Sequence, residues 1–232
     1  MGGLVLIDGD LVESSNISRV IGARREDAGV VPKVDVATRY ANALGLATTI
    51  EARRSMLQSD TDLAALRGCD VVMSCVDRHI PRALLNRLAY TAAIPVIDMG
   101  SAFRIEGGEM TAGAGRVVTV GPGRPCLACW GHIDPDALRN EALGEEEREN
   151  LERDGYVQGA QVPEPSVMPF NVQVAGVAVA QLLHIVTGFG DGDMPDRLAF
   201  DFIRGTVKRN SLAGNPRCGI CGYGNGWQRP TA

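Results

Sequence analysis

Residues 4–19 read Leu4-Val-Leu-Ile-Asp8-Gly-Asp10-Leu-Val-Glu-Ser-Ser15-Asn16-Ile-Ser-Arg19, and their reading decides the fold. Four apolar residues stop at Asp8, the pattern of a short buried strand closed by an acid. In nucleotide-binding βαβ units such an acid accepts hydrogen bonds from ribose hydroxyls, about 20 residues beyond a glycine-rich turn. Only seven residues precede Asp8, so the expectation is a chain whose first strand, phosphate loop and first helix are missing. Taken alone, the polar stretch after Asp8 is equally consistent with a solvated loop.

Outward from this stretch, apolar runs alternate with helical ones. Val36, Ala37, Tyr40, Ala41 and Leu44 recur at helical spacing, with Gly45 as a C-cap signal. Cys69 to Cys75 reads as a second strand, with both cysteines on one face as reduced core thiols. A helix at about 80–92, a strand Ile94 to Asp98 and antiparallel β structure over 102–120 follow. Residues 121–170 are irregular, with an acidic run at 145–154; Asn171 to Val186 is apolar on almost every face, and two short strands lie near 197–210. The pattern predicts an α/β fold: a Rossmann-like, mostly parallel sheet with flanking helices and an antiparallel extension. It is read as one domain over 1–232, with a crossover segment at about 130–168.

The 232 residues are 45% hydrophobic and 22% charged, which excludes a disordered or collagen-like chain. A net charge of −5 argues against a broad grip on nucleic acid. No run reaches the roughly 18 consecutive apolar residues of a membrane span, and an acid arrives too early for a signal peptide. The expected compartment is the cytoplasm, with no membrane partner and with thiols kept reduced.

In that setting the doublets Cys126-Leu-Ala-Cys129 and Cys218-Gly-Ile-Cys221 point to a tetrahedral four-sulfur zinc site, closed by the fold across 88 intervening residues. Redox thiols or disulfides are the rival reading. Four sulfurs leave no open position, so such a zinc is structural. Lys33 opens a helix and could reach a polyphosphate as a point charge; its bland reading is a surface lysine. Asp77, just past a strand end, could hold Mg²⁺ against phosphate oxygens, with Arg82 as a nearby cation. Alternatively, Asp77 caps the next helix. His79, His132 and His184 read as structural, and Trp130 and Trp227 as packing near the doublets.

In their order along the chain these motifs resemble the ThiF/MoeB/HesA family of ubiquitin-activating-enzyme-like adenylyltransferases, over about residues 2–226 and N-terminally truncated. The matching positions are Asp8, Asp10, Ser15, Asn16 and Arg19, then Lys33, Asp77 with Arg82, and both cysteine doublets. The resemblance implies ATP-dependent adenylation of the C-terminal glycine carboxylate of a small ubiquitin-like or sulfur-carrier protein. It assigns Asp8 to the ribose, Asn16, Arg19 and Lys33 to the phosphates, and Asp77 to Mg²⁺. It also implies a homodimer. No cysteine lies between Cys129 and Cys218, which favours adenylation without a thioester on this chain. Two other classes stay open: a non-catalytic zinc-stabilised binding subunit, and an NAD-dependent oxidoreductase. Arg19 and Lys33 supply more positive charge than a dinucleotide's diphosphate requires.

Overall fold

The computed structural model describes residues 2–143, 167–190 and 194–222. The acidic run at 145–154 and Trp227 lie outside the described residues. The chain divides into two compact units, Met1–Cys69 and Asp70–Ala232.

In the first unit, β1 (Gly3–Ile7) pairs in parallel with β2 (Thr49–Arg53), in register from Gly3 opposite Thr49 to Ile7 opposite Arg53. The connection holds two single-turn 3-10 segments, Ser14–Asn16 and Arg25–Asp27, and α1 (Lys33–Ala43). Val12 and Val36 are fully buried beneath it. Leu4 to Ile7 are only half-buried, because β1 pairs along one edge among the described residues. Next comes α2 (Asp60–Leu66), capped by Ser59, whose Oγ accepts from the Asp62 N–H. Buried Asp62 accepts in turn from Ser55, Ser59 and Arg53, tying the end of β2 to α2.

The second unit is a five-stranded sheet of order β3-β4-β5-β6-β7: Val72–Ser74, Val96–Glu106, Glu109–Val120, Arg197–Asp201 and Thr206–Asn210. Only β3 and β4 are parallel here; the other three pairings are antiparallel. The sheets are therefore mixed, not mostly parallel. The expected strand at 94–98 and the β structure at 102–120 are one long hairpin. Its two-residue turn, Gly107-Gly108, has positive φ at both positions (60° and 85°), the condition for a tight turn that matches strand twist. The strand at 69–75 shortens to Val72–Ser74. Cys69 belongs to the turn after α2 and Cys75 lies exposed past the strand end, so they share no buried strand face.

Among the described residues, three helices accompany this sheet: α3 (His79–Thr91), α4 (Pro135–Ala142) and α5 (Met168–Thr187). Ile97, Met99, Val117 and Phe200 form one sheet face, and Val174 and Ala178 of α5 complete that core. A Cβ on Gly115 would fall 2.7 Å from Phe202 and 2.8 Å from Val174, so α5 rests where only glycine leaves room. The opposite face of α5 exposes Val172, Val179, Leu183 and Val186. By length and composition alone, α5 is apolar enough to cross a membrane. The run-length reading missed this because Asn171, Gln173, Gln181 and His184 interrupt the apolar sequence.

Candidate functional site

The first unit gathers the polar turn after β1. Asp8 ends the strand, its Oδ1 accepts from the Asp10 N–H at 2.8 Å, and its own N–H donates to the Arg53 carbonyl. Lys33 opens α1, where the positive helix end disfavours a cation. Asp10 compensates: Lys33 Nζ donates to Asp10 Oδ2 at 2.7 Å, and the Lys33 N–H donates to the Asp10 carbonyl at 2.9 Å. Asp10 thus joins the turn that follows Asp8 to the start of α1 at Lys33. Asn16 is buried, and its Oδ1 accepts from the Glu13 N–H, so its immediate role is to fold the 3-10 turn. Half-buried Arg19 donates Nη1 to the Ser15 carbonyl at 3.1 Å.

Asp77 belongs to the second unit, exposed in the loop between β3 and α3. It does not cap α3. The first two helix N–H groups, of His79 and Ile80, donate to Glu141 Oε1 and Oε2 at 2.7 and 2.8 Å. His79 Nδ1 accepts from the Asp134 N–H, and Asp134 itself caps α4 through the Asp136 and Ala137 N–H groups. Those bonds hold the Asp134 carboxyl below its ordinary range, the Asp136 N–H contributing most. Arg82 is no surface cation. It is 7% exposed, donates Nη2 to the Val76 carbonyl at 2.6 Å, and so braces the residue before Asp77.

Arg82 also reaches a charge cluster that the motifs did not identify. Asp98, fully buried on β4, accepts from Ser74 Oγ at 2.9 Å, Arg82 Nε at 3.4 Å and Arg116 Nη2 at 3.3 Å. The register puts Arg116 and Arg197 on this same sheet face: Asp98 lies opposite Val118, and Val118 opposite Arg197. Burial lowers the Arg116 pKa; Asp98 opposes this, while the charges of Arg82 and Arg197 add to it. Burial and the same three guanidiniums depress His132 to about 3, so its imidazole is neutral. Sequence signals existed, namely one acid inside Ile97-Asp98-Met99 and one cation inside Gly115-Arg116-Val117. A single charge in an apolar run says little until its partner strand is known.

The four doublet cysteines converge. Their sulfurs lie within 4.8 Å of one another, with Cys126–Cys129 and Cys126–Cys218 at 3.7 Å and Cys129–Cys221 at 3.6 Å. A tetrahedron of sulfurs each about 2.3 Å from an ion has edges of about 3.8 Å. A disulfide needs about 2 Å, and all four cysteines are free. Without a cation, burial pushes Cys129 up to about 11. Cys218 sits near 7: burial opposes ionisation there, but the Cys221 and Ile220 N–H groups outweigh it. The knuckle needs Gly222, because a Cβ there would overlap the Cys218 carbonyl.

A family model described as ThiF family matches residues 1–220. The mouse protein described as adenylyltransferase and sulfurtransferase MOCS3 is 32% identical over 235 residues, covering all of this chain and 44% of its own length. The Thermus thermophilus sulfur carrier protein adenylyltransferase is 26% identical, over 96% of this chain and 74% of its own. The Salmonella typhimurium molybdopterin-synthase adenylyltransferase is also 26% identical, over 96% and 78%. The chain spans less than half of the mouse protein's length. Among solved structures, E. coli MccB with ATP superposes with a TM-score of 0.70 at 17% identity, over 95% of this chain and 59% of that one. MccB with the MccA-N7isoASN peptide gives 0.72 at 16% identity, over 95% and 60%.

Proposed function

The chain belongs to the ThiF family, and from that premise we propose that it adenylates the C-terminal glycine carboxylate of a small ubiquitin-like or sulfur-carrier protein, using ATP. Supporting this reading are the relatives named for carrier and molybdopterin-synthase adenylylation. The observation that carries it is the Asp10–Lys33 pair, which ties a helix-opening ammonium to the turn that follows the strand-end acid Asp8.

The chemistry asks little of a side-chain base. A carboxylate is ionised at neutral pH and attacks the α-phosphorus in line while pyrophosphate departs, so the protein's task is positioning and charge neutralisation. Asp8 accepts from the ribose hydroxyls. Asn16, Arg19 and Lys33 offer donors to phosphate oxygens, with Lys33 held in place by Asp10. Asp77 is the residue to hold Mg²⁺, which neutralises phosphate charge when bound. The cysteine cluster, with separations fitting a four-sulfur ion, is the place for a structural zinc. The apolar outer face of α5 is compatible with a homodimer.

Pyrophosphate exchange tests the proposal. With Mg-ATP and a carrier ending in Gly-Gly, labelled pyrophosphate should enter ATP, and Lys33→Ala should slow this by about 10²–10³-fold. No exchange with any such carrier, from protein that is folded and metal-replete, would remove the enzymatic reading.

A further inference from the structure

Arg116 Nε, Arg197 Nε, Trp130 Nε1 and His132 Nε2 are buried with no hydrogen-bond partner among the described residues. They belong to one neighbourhood. The Arg197 guanidinium lies 5.6 Å from the Trp130 ring centre, and His132 feels the charges of Arg116, Arg197 and Arg82. Arginine Nε and indole Nε1 only donate, so no tautomer or flip can satisfy them. Native structures pair such buried donors with protein, water or a ligand.

The charge balance points the same way. Arg82 and Arg116 share one carboxylate, Asp98, while the Arg197 charge acts on Arg116 and has no ion pair among the described residues. Among the described residues, other acids of this unit are engaged elsewhere: Asp196 with Arg124, Asp201 with Arg204, and Glu141 with the start of α3. Neutral His132 adds no counter-charge. A half-buried surplus of guanidinium with neighbouring unpartnered N–H groups suits an oxyanion, which accepts charge-assisted bonds from such forks.

We propose that Arg116, Arg197, Trp130 and His132 form a binding site for a small oxyanion, a carboxylate or a phosphate, on the floor of the Arg82–Asp98 pair. Arg82 links this floor to the Val76 carbonyl, one residue before Asp77. The site is built wholly from the second unit. It rests on the adenylation reading only for the two sources of its ligand, a peptide C-terminus or pyrophosphate.

The test uses the whole ¹⁵N-labelled chain without nucleotide, at ionic strength held constant with potassium chloride. Trp130→Phe assigns the Trp130 indole resonance. Sodium pyrophosphate, N-acetyl-glycylglycine and its C-terminal amide are titrated separately. Saturable shifts of the Trp130 indole and arginine Nε–H resonances are expected, with binding weakened at least tenfold in Arg197→Gln and in Arg116→Gln. Response to pyrophosphate alone marks a phosphate site; response to the acid but not the amide marks a carboxylate site. Arg116→Lys, which keeps the charge but removes the Nε fork, should also weaken binding and is the variant to read if the glutamine changes unfold the chain. No saturable shift with any probe, or equal shifts in the variants, overturns the proposal and leaves ordered water as the partner. Exchange activity is not measured here, so failure of this site and failure of adenylation are separately visible.

Discussion

Lys33 Nζ lies 2.7 Å from Asp10 Oδ2, 23 residues apart in sequence, and the Lys33 backbone N–H donates to the Asp10 carbonyl. Two contacts between the same residues fix where α1 begins relative to the turn after β1. The side-chain pair is partly exposed, 28% and 48%, so its worth to stability is about 0–1 kcal/mol. Its value is positional. Lys33→Ala should therefore leave the denaturation midpoint nearly unchanged while lowering pyrophosphate exchange by about 10²–10³-fold, the usual cost of removing one donor to developing charge. Asp10→Asn keeps the lysine but releases it, and an intermediate loss is expected. Equal exchange rates for wild type and Lys33→Ala would show that the pair is only structural.

Asp27 makes the first unit acid-sensitive. Its carboxylate accepts from Arg39 Nη2 at 2.6 Å and from the Arg24 N–H at 2.7 Å, and the Arg39 bond is the main reason that its pKa falls to about 2. The folded value lies below the unfolded one, so the contribution is complete above about pH 4. It is lost as pH falls from about 4 to 2. Urea midpoints measured across that window should fall more steeply for wild type than for Asp27→Asn. Parallel curves would dissociate Asp27 from the acid limb.

The cysteine cluster predicts one zinc per chain by elemental analysis. Chelation or Cys218→Ser should lower the thermal midpoint by several degrees, because an ion bound only by the folded state stabilises it by mass action. Gly222→Ala should do likewise through the overlap with the Cys218 carbonyl. Metal-free protein with an unchanged midpoint after chelator treatment would refute a structural ion.

Much of this was legible from residue order. The strand ending at Asp8, the helix opening at Lys33 and the two doublets each carry a local signal: a change of periodicity, or a Cys-x-x-Cys spacing. What stayed hidden depends on pairing. Antiparallel structure over 102–120 was legible, but that it continues the strand at 94–98 in one hairpin needed the register of residues up to 24 apart, Val96 with Val120. Arg82 read only as a cation near Asp77 because its acid, Asp98, lies on a strand 16 residues away. Cys69 and Cys75 looked like neighbours on one strand face because β3 was read three residues too long at its start, and one too long at its end.

Gly115 illustrates the packing side. Neither turn nor positive φ requires it, yet a Cβ would strike Phe202 and Val174. Gly115→Ala should cost about 1–3 kcal/mol by overpacking, read as a fall in urea midpoint with unchanged slope. Neutrality would mean that α5 can shift outward without loss.

Glu141 is the residue whose removal most directly tests how the Asp77 loop is held. The N-cap of α3, Arg78, makes no side-chain cap bond, so the two N–H groups that follow it depend on a carboxylate from α4. A negative charge there also complements the positive end of a 13-residue helix. Glu141→Gln keeps one carbonyl acceptor and loses the charge; Glu141→Ala loses both. Stability should fall in that order, by about 0.5–2 kcal/mol for alanine, as for other lost N-caps. The catalytic consequence separates bracing from chemistry. If Asp77 works through a loop held between Glu141 and Arg82, exchange in Glu141→Ala should fall through a higher apparent KM for Mg-ATP, and added magnesium should recover part of it. A fall in kcat alone, insensitive to magnesium, would count against that link.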